Sequence, residues 1–299
     1  MNSALDALIA AEQLPPAYAM IVERWWRPLA QQIAGWRAEA GRPLIVGING
    51  AQGSGKSTVC RFLEAALLPE VGLSAVTVSL DDLYLTRPER LRLAREVHPL
   101  LGTRGVPGTH DARLGMSVID HLAAGHDTLV PHFSKALDDR LPQAEWSRHH
   151  GAVDIVLFEG WCVGATPQTP QALAAPINAL ERECDGDGVW RRHVNDALGG
   201  AYAEWFARID RLVMLLPPTF GCVVRNRLLQ EHKLRARAPD AAKVMDDAEV
   251  RRFVSHYERL TRSMFVALPE RADVVFALDE AQDVVSMRQN RRTRATSQA

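Results

Sequence analysis

Gly50, Gly53, Gly55, Lys56 and Ser57 stand in one stretch, Leu44 to Thr58 (LIVGINGAQGSGKST), with types and spacing that suit a polyphosphate. Phosphate oxygens need several backbone N–H donors at close range, so side chains must be absent where the backbone curls around the anion. Glycine meets that need and accepts positive φ as well. Lys56 can reach β- and γ-phosphates, and the Ser57 hydroxyl can ligate a magnesium ion. Ser54 and Thr58 fall within the same curl. The pattern G-x-x-x-x-G-K-[ST] is that of a phosphate-binding P-loop. A glycine-rich turn that binds nothing is the plain alternative. Against it, lysine is scarce: Lys56, Lys135, Lys233 and Lys243 are the only lysines among 35 basic residues.

The flanking segments are those needed to position such a loop. Leu44-Ile45-Val46 is a short apolar run, expected as a buried strand. Lys56 to Leu63 reads as the start of a helix whose free N–H groups and partial positive charge point at the same anion. Ala75 to Leu80 reads as a second strand and ends in Asp81-Asp82. Val153 to Phe158 reads as a third, closed by Glu159-Gly160. An acid at the C-terminal end of a parallel strand next to a P-loop can hold Mg²⁺ or its waters. Arg211 to Leu216 and Asp273 to Leu278 complete five strands. Their alternation with helical patterns predicts an α/β fold, a parallel sheet covered on both faces, with ligands at the strands' C-terminal ends. The P-loop, Asp81 and Glu159 all fall there. Alternation along the strand end sends Asp82 to the opposite face.

Residues 4–13 and 16–39 read as helices broken at Pro15-Pro16. The second carries Ile21, Trp25, Leu29 and Ile33 as a stripe expected to pack on the sheet. Thr86 is a plausible N-cap with Pro88 in the first turn. The long glycine-rich loop from His98 to Asp111 is of a kind that is often functional, and Asp111 is expected to cap the next helix. Residues 162–200 are proline-rich, then polar, with a helix from Trp190 to Leu198. Phe220 to Arg237 reads as a basic helix carrying Arg225, Arg227, Lys233, Arg235 and Arg237, followed by a helix from Ala248 to Leu268. The chain divides into an N-terminal helical segment (1–40), a P-loop domain (41–287) and a basic tail (288–299) expected to be solvated and frayed.

Composition narrows the class. The 299 residues are 47% hydrophobic with a formal charge of −1, which gives no global pull toward nucleic acid or a membrane. The four cysteines lie far apart without C-x-x-C, so neither a zinc site nor a disulfide framework is indicated and a reducing cytoplasm fits. The N-terminus carries Asp6 and Glu12 and no basic n-region, so it does not read as a signal peptide. No apolar run approaches the ~18 residues that span a bilayer.

A GTPase switch needs a guanine-reading N-K-x-D, which is missing; Asp185-Gly186-Asp187-Gly188 matches D-x-x-G only in a polar loop. The signature segments of ABC- or AAA-type ATPases are also missing. A small-molecule kinase needs a P-loop, a base near the acceptor hydroxyl, a metal-holding acid and a basic lid, and each has a candidate. Asp81-Asp82-Leu83-Tyr84 after a strand resembles the uridine kinase, phosphoribulokinase and pantothenate kinase group. GINGAQGSGKST, SLDDLYLT, GTRGVPGTHD, PHFSKALDDR, FEGWCVG, the Arg227/Gln230-Glu231 segment and MDDAEVRRFVSHYERL together resemble the D-glycerate 3-kinases of plant and fungal type and their bacterial relatives. The likeness runs from about Leu44 to Leu278.

That resemblance implies ATP and Mg²⁺ as cofactors and a small hydroxylated acceptor, D-glycerate first. A sibling kinase for another small alcohol or nucleoside, or an ATP-binding switch with little turnover, are the alternatives. Asp81 matches the group's catalytic acid and would take or orient the acceptor hydroxyl's proton. Arg104, His110 and Asp111 lie in the loop expected to face the acceptor, where an arginine fork suits a carboxylate. Lys135 and Arg140 would bind acceptor or neutralise the transferred group. Arg227 on the lid helix would stabilise transition-state charge. Ser57, Glu159 and Asp81 would hold the metal.

Overall fold

The computed structural model describes residues 3–237 and 245–290. The apolar runs form strands β1 (Leu44–Gly50), β2 (Ala75–Ser79), β3 (Ile155–Gly160), β4 (Arg211–Leu216) and β5 (Val274–Leu278), with a further strand β6 (Val284–Gln289). The sheet order is β6-β5-β4-β1-β3-β2. β1 pairs in parallel with β3 and β4, β2 with β3, and β4 with β5. The five expected parallel strands are therefore present. β1 and β3 are buried along their whole length, as central parallel strands should be. Their side chains alternate between two layers. Leu44, Val46, Ile48, Ile155 and Leu157 face the N-terminal and P-loop helices, and Ile45, Val156 and Phe158 face Ile119, Leu122 and Trp205.

β6 was not anticipated. It runs antiparallel to β5 along the edge, and only Val284 of its residues is buried, so its sequence carries almost no apolar alternation. Arg288 and Gln289, assigned above to a frayed tail, belong to it, and Asn290 donates to the carbonyls of Pro269 and Ala272. The rest of that tail, 291–299, lies outside the described residues.

The N-terminal segment forms a helix over Ser3–Ala11, then Tyr18–Ile21, a π-helical turn Val22–Trp26, and Arg27–Ala40. Leu29 and Ile33 are buried as expected, but Val22 and Trp26 take the places expected of Ile21 and Trp25. A π turn holds one more residue than an α turn and so rotates the buried stripe. Both Trp25 and Trp26 meet Phe276 of β5 edge-on, at 6.4 and 5.0 Å.

Two departures bear on the site. Leu80–Asp82 is a 3₁₀ turn rather than a strand end, capped by Ser79, whose hydroxyl accepts from the Asp81 N–H. Residues 128–149 form two small hairpins, Thr128–Val130 with Ser147–His149 and Phe133–Ser134 with Asp139–Arg140. The expected caps are present: Thr86 and Glu89 form a capping box, and Asp111 Oδ1 accepts from the Leu114 N–H at 3.0 Å. Asp185 of the D-x-x-G stretch caps the helix Val189–Gly199 and pairs with Arg191, a structural role.

The basic helix Phe220–Arg237 packs on the helix Asp247–Ala267 through Phe220 and Val223 against Val250 and Val254. The side chains of Lys233 and Arg237 lie outside the described residues. The Asp247–Ala267 helix is anchored by the buried Arg259–Glu181 pair, at 2.6 and 2.7 Å. Among the described residues no helix is long and apolar enough to cross a membrane.

Candidate active site

The C-terminal ends of β1, β2 and β3 open into a cleft of about 350 Å³. That volume suits the phosphates of a nucleotide with a small acceptor. Gly53, Gly55, Lys56, Ser57 and Thr58 line it from the P-loop. Gly53 and Gly55 have φ of 77° and 85°. At Gly53 a Cβ would also come within 2.9 Å of Asn226 Cβ on the basic helix, so glycine is needed there for space as well. The first helical turn from Lys56 leaves N–H groups without intrahelical partners, aimed at the cleft. Gly50 and Ser54 are not on the wall. Gly50 ends β1 beneath the loop, and Ser54 turns inward against it, its N–H donating to the Ala51 carbonyl. Their contribution is to the loop's shape.

Glu159 is not on the wall itself; it is buried directly behind Lys56 and Ser57. It stands between Ile48 of β1 and Ser79 of β2 in the strand register. Its Oε1 accepts from Ser79 Oγ at 2.6 Å and Ser57 Oγ at 3.2 Å. Its Oε2 is buried with no hydrogen-bond partner among the described residues and lies 3.8 Å from Lys56 Nζ. A buried carboxylate oxygen of this kind is suited to a cation. The donors in contact here, Glu159 and the Ser57 hydroxyl, are hard oxygens of the kind Mg²⁺ accepts alongside waters and phosphates.

Asp81 lies on the cleft wall with Tyr84. Tyr84 Oη donates to Asp81 Oδ1 and Lys135 Nζ to Oδ2, both at 2.9 Å. Burial works to raise the Asp81 pKa, but Lys135 and Lys56 outweigh it and hold the carboxyl well below the usual carboxylate range. Asp82 faces elsewhere, as expected, but for another reason. Its Oδ1 accepts from the Phe133 N–H at 2.9 Å, which ties the hairpin to the turn, and burial pushes its carboxyl up.

The loop from His98 to Asp111 divides in function. Arg104 reaches the cleft, paired with Asp138 and stacked 5.5 Å over Phe133. His110, Asp111 and Arg140 do not line it, which corrects their assignment to the acceptor site. His110 is buried behind Tyr84, stacked on it at 4.4 Å, with Nδ1 2.5 Å from Tyr202 Oη. Burial pushes its pKa down to about 3. Both oxygens of Asp111 are occupied, one by the helix cap and the other by Arg140 Nη1 at 3.0 Å. These residues fix the loop rather than face the cleft.

Arg227 enters from the basic helix. Its Nη2 donates to Glu231 Oε2 at 2.6 Å, and its guanidinium lies 5.8 Å over Phe253. Glu231 is buried, and its Oε1 accepts from the Met245 N–H at 3.0 Å. The wall also holds residues given no role from the sequence: Gln52, Tyr84, Trp161, Gln230, Phe253 and Tyr257. Trp161 Nε1 donates to the Gly105 carbonyl at 2.8 Å and Tyr257 Oη to that of Arg104 at 3.3 Å, so both brace the Arg104 loop. Trp161 has a local signal, since it stands two residues after the strand-end acid; Tyr257 carries only its place in the MDDAEVRRFVSHYERL segment.

No family model matches the chain. Over 227 residues it is 37% identical to the uncharacterized kinase Mug58 of Schizosaccharomyces pombe, covering 73% of this chain and 79% of that one. It is 31% identical over 226 residues to the chloroplastic D-glycerate 3-kinase of Arabidopsis thaliana; the match takes in 72% of this chain but only 46% of the plant protein. Among solved structures, a D-glycerate 3-kinase from Cryptococcus neoformans superposes with a TM-score of 0.75 over 89% of this chain and 99% of its own, at 24% identity, which speaks for a shared fold. The chain is an ATP-dependent phosphotransferase, and it belongs to the family of P-loop kinases that includes Mug58 of Schizosaccharomyces pombe.

Proposed function

We propose that this protein transfers the γ-phosphate of ATP to a hydroxyl of D-glycerate, with Mg²⁺ as the metal. The observation that carries the reading is that two cations, Arg104 and Lys135, line the same cleft as Asp81 and the P-loop. An acceptor bearing both a carboxylate and a hydroxyl needs that combination: cations for the acid and a base for the alcohol. The names of the Arabidopsis and Cryptococcus relatives agree with it.

In this reading Lys56 and the P-loop N–H groups hold the β- and γ-phosphates. Arg227, oriented by Glu231 and Phe253, stabilises charge on the transferred group. Asp81, kept in orientation by Tyr84, receives the hydroxyl proton. Ser57 and Glu159 would hold Mg²⁺, which when bound neutralises charge on the β- and γ-phosphates; Asp81, its oxygens engaged by Tyr84 and Lys135, is left to the proton rather than the metal. The test is ADP release measured with D-glycerate, glycerol, uridine, pantothenate and ribulose 5-phosphate as acceptors. Glycerate should give the highest kcat/KM, and Arg104→Ala should raise its KM strongly with little change in the KM for ATP. Preference for another acceptor would reassign the substrate.

A further inference from the structure

Both oxygens of Asp81 are taken, and the two partners differ in freedom. Tyr84, on Oδ1, is 3% exposed, stacked on His110 and edge-on to Phe133. Lys135, on Oδ2, has a side chain 64% exposed, in the turn of the hairpin joining Ser134 to Asp139. Asp81 is its one ion-pair partner among the described residues. Its neighbour Leu137 is equally exposed, at 64%, while Asp138 anchors the turn to Arg90 and Arg104, so the freedom is that of the Lys135 side chain and not of the turn. Arg104, the other cation on this side, is by contrast tied to Asp138 and stacked on Phe133.

We infer that Lys135 selects the acceptor by capping the base: with no acceptor bound it covers Asp81 Oδ2, and an anionic group on the acceptor draws it away. The inference rests on the reading of Asp81 as the base. A general base needs an oxygen open to the incoming hydroxyl. Tyr84 cannot leave without unpacking a buried ring, whereas Lys135 leaves by rotation of a flexible, solvated stem. An acid acceptor makes the exchange nearly even, because the ammonium trades one carboxylate for another. A neutral alcohol or water offers no such trade. With Oδ2 uncovered the step balances. The acceptor O–P bond forms as the bond from γ-phosphorus to the β,γ-bridging oxygen breaks, the electron pair leaves with ADP, and the hydroxyl proton goes to Oδ2. Selectivity for acids then appears in kcat as well as in KM, and water at the acceptor position meets a covered base, which restrains idle ATP hydrolysis.

Lys135→Met keeps the stem and removes the charge, and Lys135→Arg keeps a charge. ADP release is measured for both and for the wild type at saturating ATP and Mg²⁺, without acceptor, with D-glycerate and with glycerol. A positioned base contributes about 10²–10⁴-fold, so Lys135→Met should raise acceptor-free ADP release by about tenfold or more. It should also narrow the kcat ratio of glycerate to glycerol and raise the KM for glycerate. Lys135→Arg should keep the low acceptor-free rate. If Lys135→Met releases ADP no faster than wild type without acceptor, Lys135 does not cap the base and the inference fails. An unchanged kcat ratio overturns the exchange. Absence of any glycerate phosphorylation by the wild type sinks the acceptor reading instead, and the acceptor-free arm still decides the cap.

Discussion

Ser79 and Glu159 are register partners on β2 and β3, and the Ser79 hydroxyl donates to Glu159 Oε1 at 2.6 Å. That bond, with the one from Ser57, fixes the buried carboxylate and leaves Oε2 facing Lys56. Partners that orient a metal ligand are typically worth about 10–100-fold in metal affinity or activity. Ser79→Ala is expected to raise the Mg²⁺ concentration for half-maximal rate by about 10-fold. Glu159→Gln should raise it further. A Mg²⁺ titration of both variants that matched wild type would remove Glu159 from the metal site.

Asp81 and Asp82 are adjacent but hold different partners, Tyr84 and Lys135 for one, the Phe133 N–H for the other. Asp81→Asn keeps the size and removes the base, so kcat should fall by about 10²–10⁴-fold at saturating ATP and acceptor. Asp82→Asn retains an oxygen for the Phe133 N–H and should do far less. A larger loss in Asp82→Asn would reverse the assignment, and equal small losses would mean that neither carboxylate is the base.

The ease of reading this chain varied with the range of the interactions. The P-loop and the strand-end acids were legible because their geometry is set within a few residues: glycines for the curl, an apolar run to carry Glu159 to a strand terminus. The cleft's far wall was not, because it depends on long-range packing. Tyr257 braces the carbonyl of Arg104 from 153 residues away. For His110, Asp111 and Arg140 the neighbourhood was right and the task was not. A polar side chain in a loop can serve a ligand or the loop itself, and only its partners decide. The turn at Leu80–Asp82 and the π turn at Val22–Trp26 likewise depart from ideal periods, so counting by two or by 3.6 displaces the faces.

Arg227 is held from one turn away by Glu231, whose second oxygen takes the Met245 N–H. A hydrogen bond to a charged group is worth about 1.5–3 kcal/mol, and about 1.4 kcal/mol is tenfold in rate. Glu231→Gln is therefore expected to lower kcat by about tenfold or more through misplaced Arg227. The decisive measurement is the cycle with Arg227→Ala. If Glu231 acts through Arg227, the double variant is no slower than Arg227→Ala alone. Additive losses would give Glu231 a separate role.

His110 makes stability depend on pH. Burial lowers its pKa to about 3 in the folded protein, whereas in the unfolded chain it titrates near 6.5. Between those values the unfolded chain binds the extra proton, so this group's share of stability falls as pH drops from about 6.5 toward 3 and is constant above. His110→Gln removes that share. Urea unfolding between about pH 4 and 7 should show a shallower loss for the variant, whatever its absolute stability. Parallel curves would show that His110 is not held neutral.

β6 has a practical consequence for anyone who trims this protein. It hydrogen-bonds the outer side of β5, whose Val274, Val275, Phe276 and Leu278 are all buried. A chain cut before Val284 would present that strand's unpaired N–H and C=O groups along an apolar ribbon, a template for joining other molecules edge to edge. Such a protein would be expected to precipitate rather than lose only its affinity for substrate. Asn290, which clasps Pro269 and Ala272, belongs to that fastening, so a shortened version has to end beyond it.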